Sequence, residues 1–260
     1  VPVLVAPADT PLGVALVRAL RADGAEVRAY ATGAGDVGAL RALGAFVAVG
    51  DLDDEGRLDA AMTDAHTVIG LHADPLAPDA ALLAAHLRVL LTAAEQAAVQ
   101  RLVVRSVPRP GEADPLRHVC ADIEAALASM PLPTMAVRTS LVDQPALRDA
   151  LVSLGGAAPA DVDVAPLHPD DVVDALVALD AARATATEGH VVFRLQGRPR
   201  SLGAYLDHAG GGGLVGRVWT PTDRVPLLRT ALATPWSEPD DDATADLLAF
   251  AGHAARPLAP

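Results

Sequence analysis

Residues 1–30 read VPVLVAPADTPLGVALVRALRADGAEVRAY, and the fold turns on how this stretch is parsed. Residues 1–6 are an unbroken apolar run rich in valine, the pattern of a strand buried on both faces. From residue 12 to residue 22 the apolar side chains recur at helical spacing until Asp23-Gly24 stops them, and residues 25–31 return to strand character. Strand, turn, helix and strand in so short a stretch make a βαβ unit, whose two strands must run parallel.

Working outward, the alternation continues. A helix over 37–43 ends at Gly44, a strand over 45–49 runs into Gly50-Asp51, and helix 55–62, strand 67–71, helix 78–98 and strand 101–104 follow. A Pro- and Gly-rich loop over 107–114 leads to helix 115–129 and strand 134–137. Such alternation predicts an α/β fold with a doubly wound, Rossmann-type, mostly parallel sheet. The regularity then weakens: His168-Pro169-Asp170-Asp171 opens a helix over 172–182, and strand 191–195, helix 202–209, a glycine link over 210–213, strand 215–219 and helix 244–253 complete the reading. The expected organisation is one structural domain, with a Rossmann-type core over 1–145 and a part over 146–260 that forms a small substrate-side subregion and completes the cleft.

The chain is 51% hydrophobic but only 3% aromatic, so its core must be built from Ala, Val and Leu. A formal net charge of -13, with no stretch that interleaves basic and aromatic residues, opposes nucleic-acid binding. No apolar run reaches membrane-span length, and the start carries no basic leader. The single cysteine, Cys120, rules out an internal disulfide and fits a reducing cytoplasm. Acidic clusters at 51–55 and 238–242 read as solvated loops or helix starts, and no His/Cys spacing suits zinc, so no metal is expected. The partner expected is a small molecule, with no nucleic acid, no membrane, and self-association left open.

Several phrases, in order, resemble atypical short-chain dehydrogenase/reductases of the NmrA-like group. They are GAEVRAY at 24–30, GDLDD at 50–54, RLVVRS at 101–106, IEAALASMPLPTMAVR at 123–138 and PLHPDDVVDAL at 166–176. The resemblance implies a dinucleotide-binding fold whose members usually bind NAD(P), some as reductases and some as regulators without turnover. It also implies three glycines after the first strand, where bare backbone lets a diphosphate approach a helix N-terminus. This chain has Pro7, Thr10 and Gly13 there, followed by Pro11, so main-chain donors and space are lost and only Gly13 is kept. The basic residue that often follows the second strand is Thr32, with Arg28 earlier in that strand, and Asp51-Leu52 resembles the turn that contacts adenine. Gly13, Arg28, Asp51 and Leu52 are therefore the candidate cofactor contacts, if a cofactor binds. In the resemblance Leu116 and Cys120 fall where a reductase carries its tyrosine and lysine, Ser106 matches the first serine closing the fifth strand, and Val107 replaces the second. From these departures no cofactor is expected, NAD(P) being disfavoured.

Ligands of a doubly wound sheet sit beyond the carboxyl ends of its strands, so the residues there are the remaining candidates. A guanidinium at the end of a buried strand needs an anion or another partner, which points Arg105 at a substrate carboxylate or enolate, or else at an internal pair with Asp74 or Asp51. His72 and His118 are the histidines placed to move protons near neutral pH. With Ser106 these make the catalytic set, and Asp74, Cys120, Arg138 and Thr139 the substrate-binding set. No Gly-x-Ser-x-Gly is present, against an α/β-hydrolase. Three functions follow: cofactor-free proton chemistry such as cyclisation, isomerisation or elimination on a small organic molecule, with Arg105 stabilising an oxyanion; a non-catalytic sensor or interaction protein; and an NAD(P)H-dependent reductase with an unusual phosphate loop.

Overall fold

The first strand, β1 (Pro2–Ala6), is buried on both faces. Leu4 and Ala6 join one apolar cluster, and Val3 and Val5 join another across the sheet. Helix α1 (Pro11–Ala22) starts where Thr10 caps it: the Thr10 hydroxyl accepts the Gly13 N–H at 3.0 Å, and Pro11 occupies the first turn, where an N–H is not required. Gly24, at φ +84, ends it in the left-handed conformation that favours glycine. The structure, a computed structural model, describes residues 1–77, 79–108, 111, 114–154, 160–182, 189–207, 228, 232 and 252–258.

The chain continues through β2 (Glu26–Ala31), α2 (Val37–Ala42), β3 (Phe46–Val49), α3 (Glu55–Met62), β4 (Thr67–Gly70), α4 (Ala80–Gln96), β5 (Arg101–Ser106), α5 (Pro115–Ser129) and β6 (Thr134–Thr139). Beyond these come α6 (Pro145–Leu154), β7 (Asp163–Val164), α7 (Pro169–Ala181), β8 (His190–Leu195), β9 (Arg200–Ser201) and α8 (Leu202–Leu206). The main sheet has seven strands in the order β3-β2-β1-β4-β5-β6-β8, every neighbouring pair parallel. This is the doubly wound architecture expected. The order reverses between β1 and β4, which opens the crevice where such sheets take ligands.

Helices α3, α4 and α5 cover one face through Leu58, Leu87, Leu90 and Ile123; α1, α2 and α7 cover the other through Leu16, Leu20, Leu40 and Leu176. Each buried leucine contributes about 1.5–3 kcal/mol relative to exposure. The edge strand β3 leaves Phe46 exposed.

The sequence reading lacked α6 and the small antiparallel β7-β9 pair. Pro145 at the first turn of α6 was its signal, and β7 and β9 are two residues each, too short for any periodicity. Helix α4 starts at Ala80, two residues later than expected, because the Asp79 side chain caps it by accepting the Ala81 N–H at 2.7 Å. The glycine link over 210–213, the strand over 215–219, the acidic cluster at 238–242 and nearly all of the helix over 244–253 lie outside the described residues. Residues 252–258 are fastened to α7: Arg256 reaches Asp171 at 2.7 Å and Asp174 at 2.6 Å, and His253 meets Asp174 at 3.1 Å.

Candidate functional site

The bend after β1 is built around a carboxylate that the sequence reading passed over. Asp9, only 7% exposed, accepts the N–H groups of Thr32 (3.1 Å), Gly33 (2.9 Å) and Gly35 (3.1 Å) and the Thr32 hydroxyl (2.9 Å). Burial raises the Asp9 pKa, but the N–H bonds from Thr32 and Gly35 outweigh it, so the carboxyl lies below the ordinary value. A Cβ at Gly35 would run into the Asp9 carbonyl, so the glycine-rich turn after β2 and the aspartate fit only each other. The same bend holds a cis Ala6–Pro7 peptide, and Ala8 N–H donates to the Tyr30 carbonyl at 2.7 Å. Gly13 is needed for packing: a Cβ there would lie 2.6 Å from the Ala8 carbonyl oxygen.

Arg28 is spent elsewhere. Its guanidinium donates to the carbonyls of Ala61 (3.2 Å) and Thr63 at the end of α3, where helix carbonyls lack partners. The Asp51 side chain is exposed while its carbonyl accepts the Tyr30 hydroxyl at 2.8 Å, and Leu52 packs against the α3–α4 core.

The pleat of β5 then sorts the remaining candidates into two groups. Ser106 points toward α5, where Leu116, Cys120 and Glu124 follow one another at one-turn spacing and are all buried. The Ser106 hydroxyl donates to Glu124 at 2.6 Å, and Arg138 from β6 grips the same carboxylate, its closest contact 2.7 Å. Burial pushes the Cys120 thiol up to about 12, so it is a protonated packing group. His118, two residues from both Leu116 and Cys120, is exposed, roughly 200° around the helix from either. Glu124 was not singled out from the sequence; its signal was the one-turn spacing from Cys120 beneath a strand-end serine.

Arg105, the neighbour of Ser106, faces the other way. It is 5% exposed, and its Nε donates to the Thr139 hydroxyl at 2.8 Å. Its terminal nitrogens have no partner among the described residues. Arg105 lines a narrow cleft with Asp74, Pro75, Leu76, Val142, Gln144 and Leu147, with room for about one water (about 10 Å³). Asp74 is held in a turn by the Leu76 N–H at 2.9 Å and makes no ion pair with Arg105; Asp51 makes none either. The wall carrying Val142, Gln144 and Leu147 is fixed by Asp143, which accepts from Arg148 at 2.6 and 2.7 Å and from the Tyr205 hydroxyl. His72, at the end of β4, is 5% exposed, and neither ring nitrogen has a partner. Burial, with His86 adding to it, pulls its pKa down to about 3, so the ring stays neutral at ordinary pH and does not titrate where a near-neutral proton carrier would.

No protein-family model matches the chain, and no curated protein does. Solved structures do. UDP-glucose 4-epimerase from Thermotoga maritima, solved with UDP-glucose, superposes with a TM-score of 0.73 at 16% identity, over 98% of this chain and 94% of that one. Triphenylmethane reductase from Citrobacter sp., solved with NADP(H), gives 0.72 at 17% identity over 98% and 97%. UDP-glucose 4-epimerase from Brucella ovis, solved with NAD, gives 0.64 at 16% identity over 89% and 97%. The chain therefore has the fold of NAD(P)-dependent epimerases and reductases. The expectation that no cofactor belongs here is corrected by these neighbours, since the fold is one that carries NADP(H) in the reductase and NAD in the Brucella epimerase.

The residues present fit such a cofactor in part. Helix α1 begins just beyond the carboxyl end of β1, so its positive end lies on the crevice side, while Gly13 serves the close packing on the Ala8 main chain. The Gly13 N–H, however, is taken by Thr10, and the amides after β2 are taken by Asp9. Among the described residues no group of three or more His, Cys, Asp or Glu could hold a metal ion, and no helix is long and apolar enough to cross a membrane.

Proposed function

We propose that this chain is a small-molecule-binding protein on the short-chain dehydrogenase fold. It seats a nicotinamide dinucleotide and an organic ligand along the carboxyl ends of its sheet, without hydride-transfer turnover. The observation that carries the reading is the fate of the proton-donating groups. The sequence has two tyrosines and no lysine. Tyr30 spends its hydroxyl on the Asp51 carbonyl and Tyr205 spends its own on Asp143. Burial pushes Tyr30 up to about 12 and raises Tyr205 as well. Neither is placed as an acid, and Leu116 and Cys120, at the positions that the resemblance assigns to a reductase's tyrosine and lysine, are buried and supply no such pair.

The dinucleotide half of the reading is supported by the ligands of the neighbouring structures and by the crevice between β1 and β4. When bound, that group would supply a hydride donor or acceptor. This chain would hold it through the Leu12 N–H and the positive end of α1, with His72 as a neutral wall. A net charge of -13 opposes a nucleic acid as the second ligand.

Calorimetric titration with NADH and NADPH, followed by assays of nicotinamide absorbance with carbonyl and quinone substrates, tests the proposal. Saturable binding without substrate-dependent oxidation is expected. Absence of heat at millimolar cofactor, or NADH oxidation over many turnovers, overturns it.

A further inference from the structure

A second cleft lies away from the crevice, toward the amino ends of the strands: Phe46 opens β3, and Thr63 and Asp64 sit between α3 and β4. Its volume is about 420 Å³, within the range of sites that take a small organic molecule. Much of the apolar lining is short, from Ala48, Ala60 and Ala61 with Leu4 and Val47, so the space is what those side chains leave unfilled. Phe46, 67% exposed, adds an aromatic ring that belongs to neither apolar cluster of the core.

The cation in this cleft is Arg28. One terminal nitrogen, Nη1, donates to the Ala61 carbonyl at 3.2 Å and to the Thr63 carbonyl, which offsets the negative end of α3 and anchors the guanidinium. Nε and Nη2 have no partner among the described residues, and these two nitrogens form the edge that meets both oxygens of a carboxylate side-on. Asp64 also lines the cleft, but it is exposed, where water screens its charge, and among the described residues it makes no ion pair with Arg28. We propose that this cleft binds a small aromatic carboxylate, its carboxylate on the Nε–Nη2 edge of Arg28 and its ring against Phe46 and the alanine lining. The alanines leave the room, Phe46 supplies the aromatic contact, and the guanidinium selects the charge. An apolar lining around one cation favours a carboxylate with an apolar body over a free inorganic anion. The site is separate from the crevice and does not depend on the dinucleotide.

The test uses the full chain in calorimetric titration with benzoate, benzamide and acetate. Saturable binding of benzoate is expected, with benzamide and acetate weaker by about tenfold or more, since one lacks the charge and the other the ring. Arg28→Gln should bring benzoate down to the level of benzamide. Because Arg28 also caps α3, Ala60→Leu is the second variant. Ala60 is exposed on α3, so the Tm should hold while the longer side chain fills the cleft and cuts benzoate affinity by about tenfold or more. Saturating NADH should leave the affinity for benzoate unchanged. No saturation with benzoate, equal binding of benzamide, an Ala60→Leu variant that binds as the parent does, or competition between benzoate and NADH would each overturn the proposal. Benzoate binding without NADH binding sinks only the preceding reading, and NADH binding without benzoate binding sinks only this one.

Discussion

Ser106 and Glu124 lie 2.6 Å apart, hydroxyl to carboxylate, so the strand-end serine is bound to the helix that covers it. Arg138 completes the trio, and all three are largely withdrawn from water. Removing the shared member should cost most. Glu124→Ala is expected to destabilise by about 3 kcal/mol, because it removes the carboxylate that Ser106 and Arg138 share. Ser106→Ala should cost only about 1 kcal/mol. Urea unfolding of the single variants and of Glu124→Ala/Arg138→Ala measures the coupling, which should be clearly non-additive.

Asp9 links stability to acid. Its carboxyl lies below the ordinary 3.8 in the folded chain, so its contribution is present above that value and lost as pH falls through the lower folded pKa. Asp9→Ala should cost about 2–3 kcal/mol at neutral pH by orphaning buried N–H groups. It should also flatten the stability profile on the acid side, which chemical denaturation between pH 2 and 6 reads directly.

His253 works in the opposite sense. The Ala254 carbonyl and the Asp174 carboxylate raise its pKa above 6.5, so its contribution is complete below that value and disappears as pH rises through the folded pKa. The hydrogen-exchange protection of residues 252–258, measured relative to the intrinsic rate at each pH, should therefore fall from pH 6 to 8. Arg256→Ala should loosen the segment at every pH, since Asp171 and Asp174 both lose the guanidinium and Asp171 is left with the main-chain N–H of residue 256.

Gly13→Ala should be destabilising by about 1–3 kcal/mol through overpacking, since the new methyl group meets main chain rather than a yielding side chain. A fall in Tm of about 2–4 °C per kcal/mol is the expected signature.

Cys120 should be silent toward Ellman's reagent in the native state at neutral pH and react fully once the chain unfolds, because its thiol is buried and pushed up to about 12. Labelling at the rate of a free thiol would place the α5 face in solvent.

The sheet was legible because its strands are short apolar runs punctuated by Gly, Asp and Pro, and the alternation with helices leaves few topologies open. Spacing also carried some of the site: Leu116 and Cys120 share a face because they are one turn apart, and Arg105 was marked as a charge in a buried strand. What stayed hidden was pairing across distance. Asp9 with Gly33 and Gly35, Glu124 with Arg138, Asp143 with Tyr205 and Asp171 with Arg256 each join separate elements. Periodicity says which face of an element a residue occupies, not which remote group will cover it. The same limit applies to His72, whose burial without a hydrogen-bond partner, and hence its low pKa, cannot be read from a strand end alone.

Because Arg105 and Ser106 are consecutive letters looking into opposite layers, the order of β5 is also an address system. Deleting one residue upstream in that strand would slip its frame and exchange the two destinations, delivering a guanidinium to the α5 layer and a hydroxyl to the cleft. Neither layer could use what arrived, so this strand tolerates exchange of its letters far better than any change in their number.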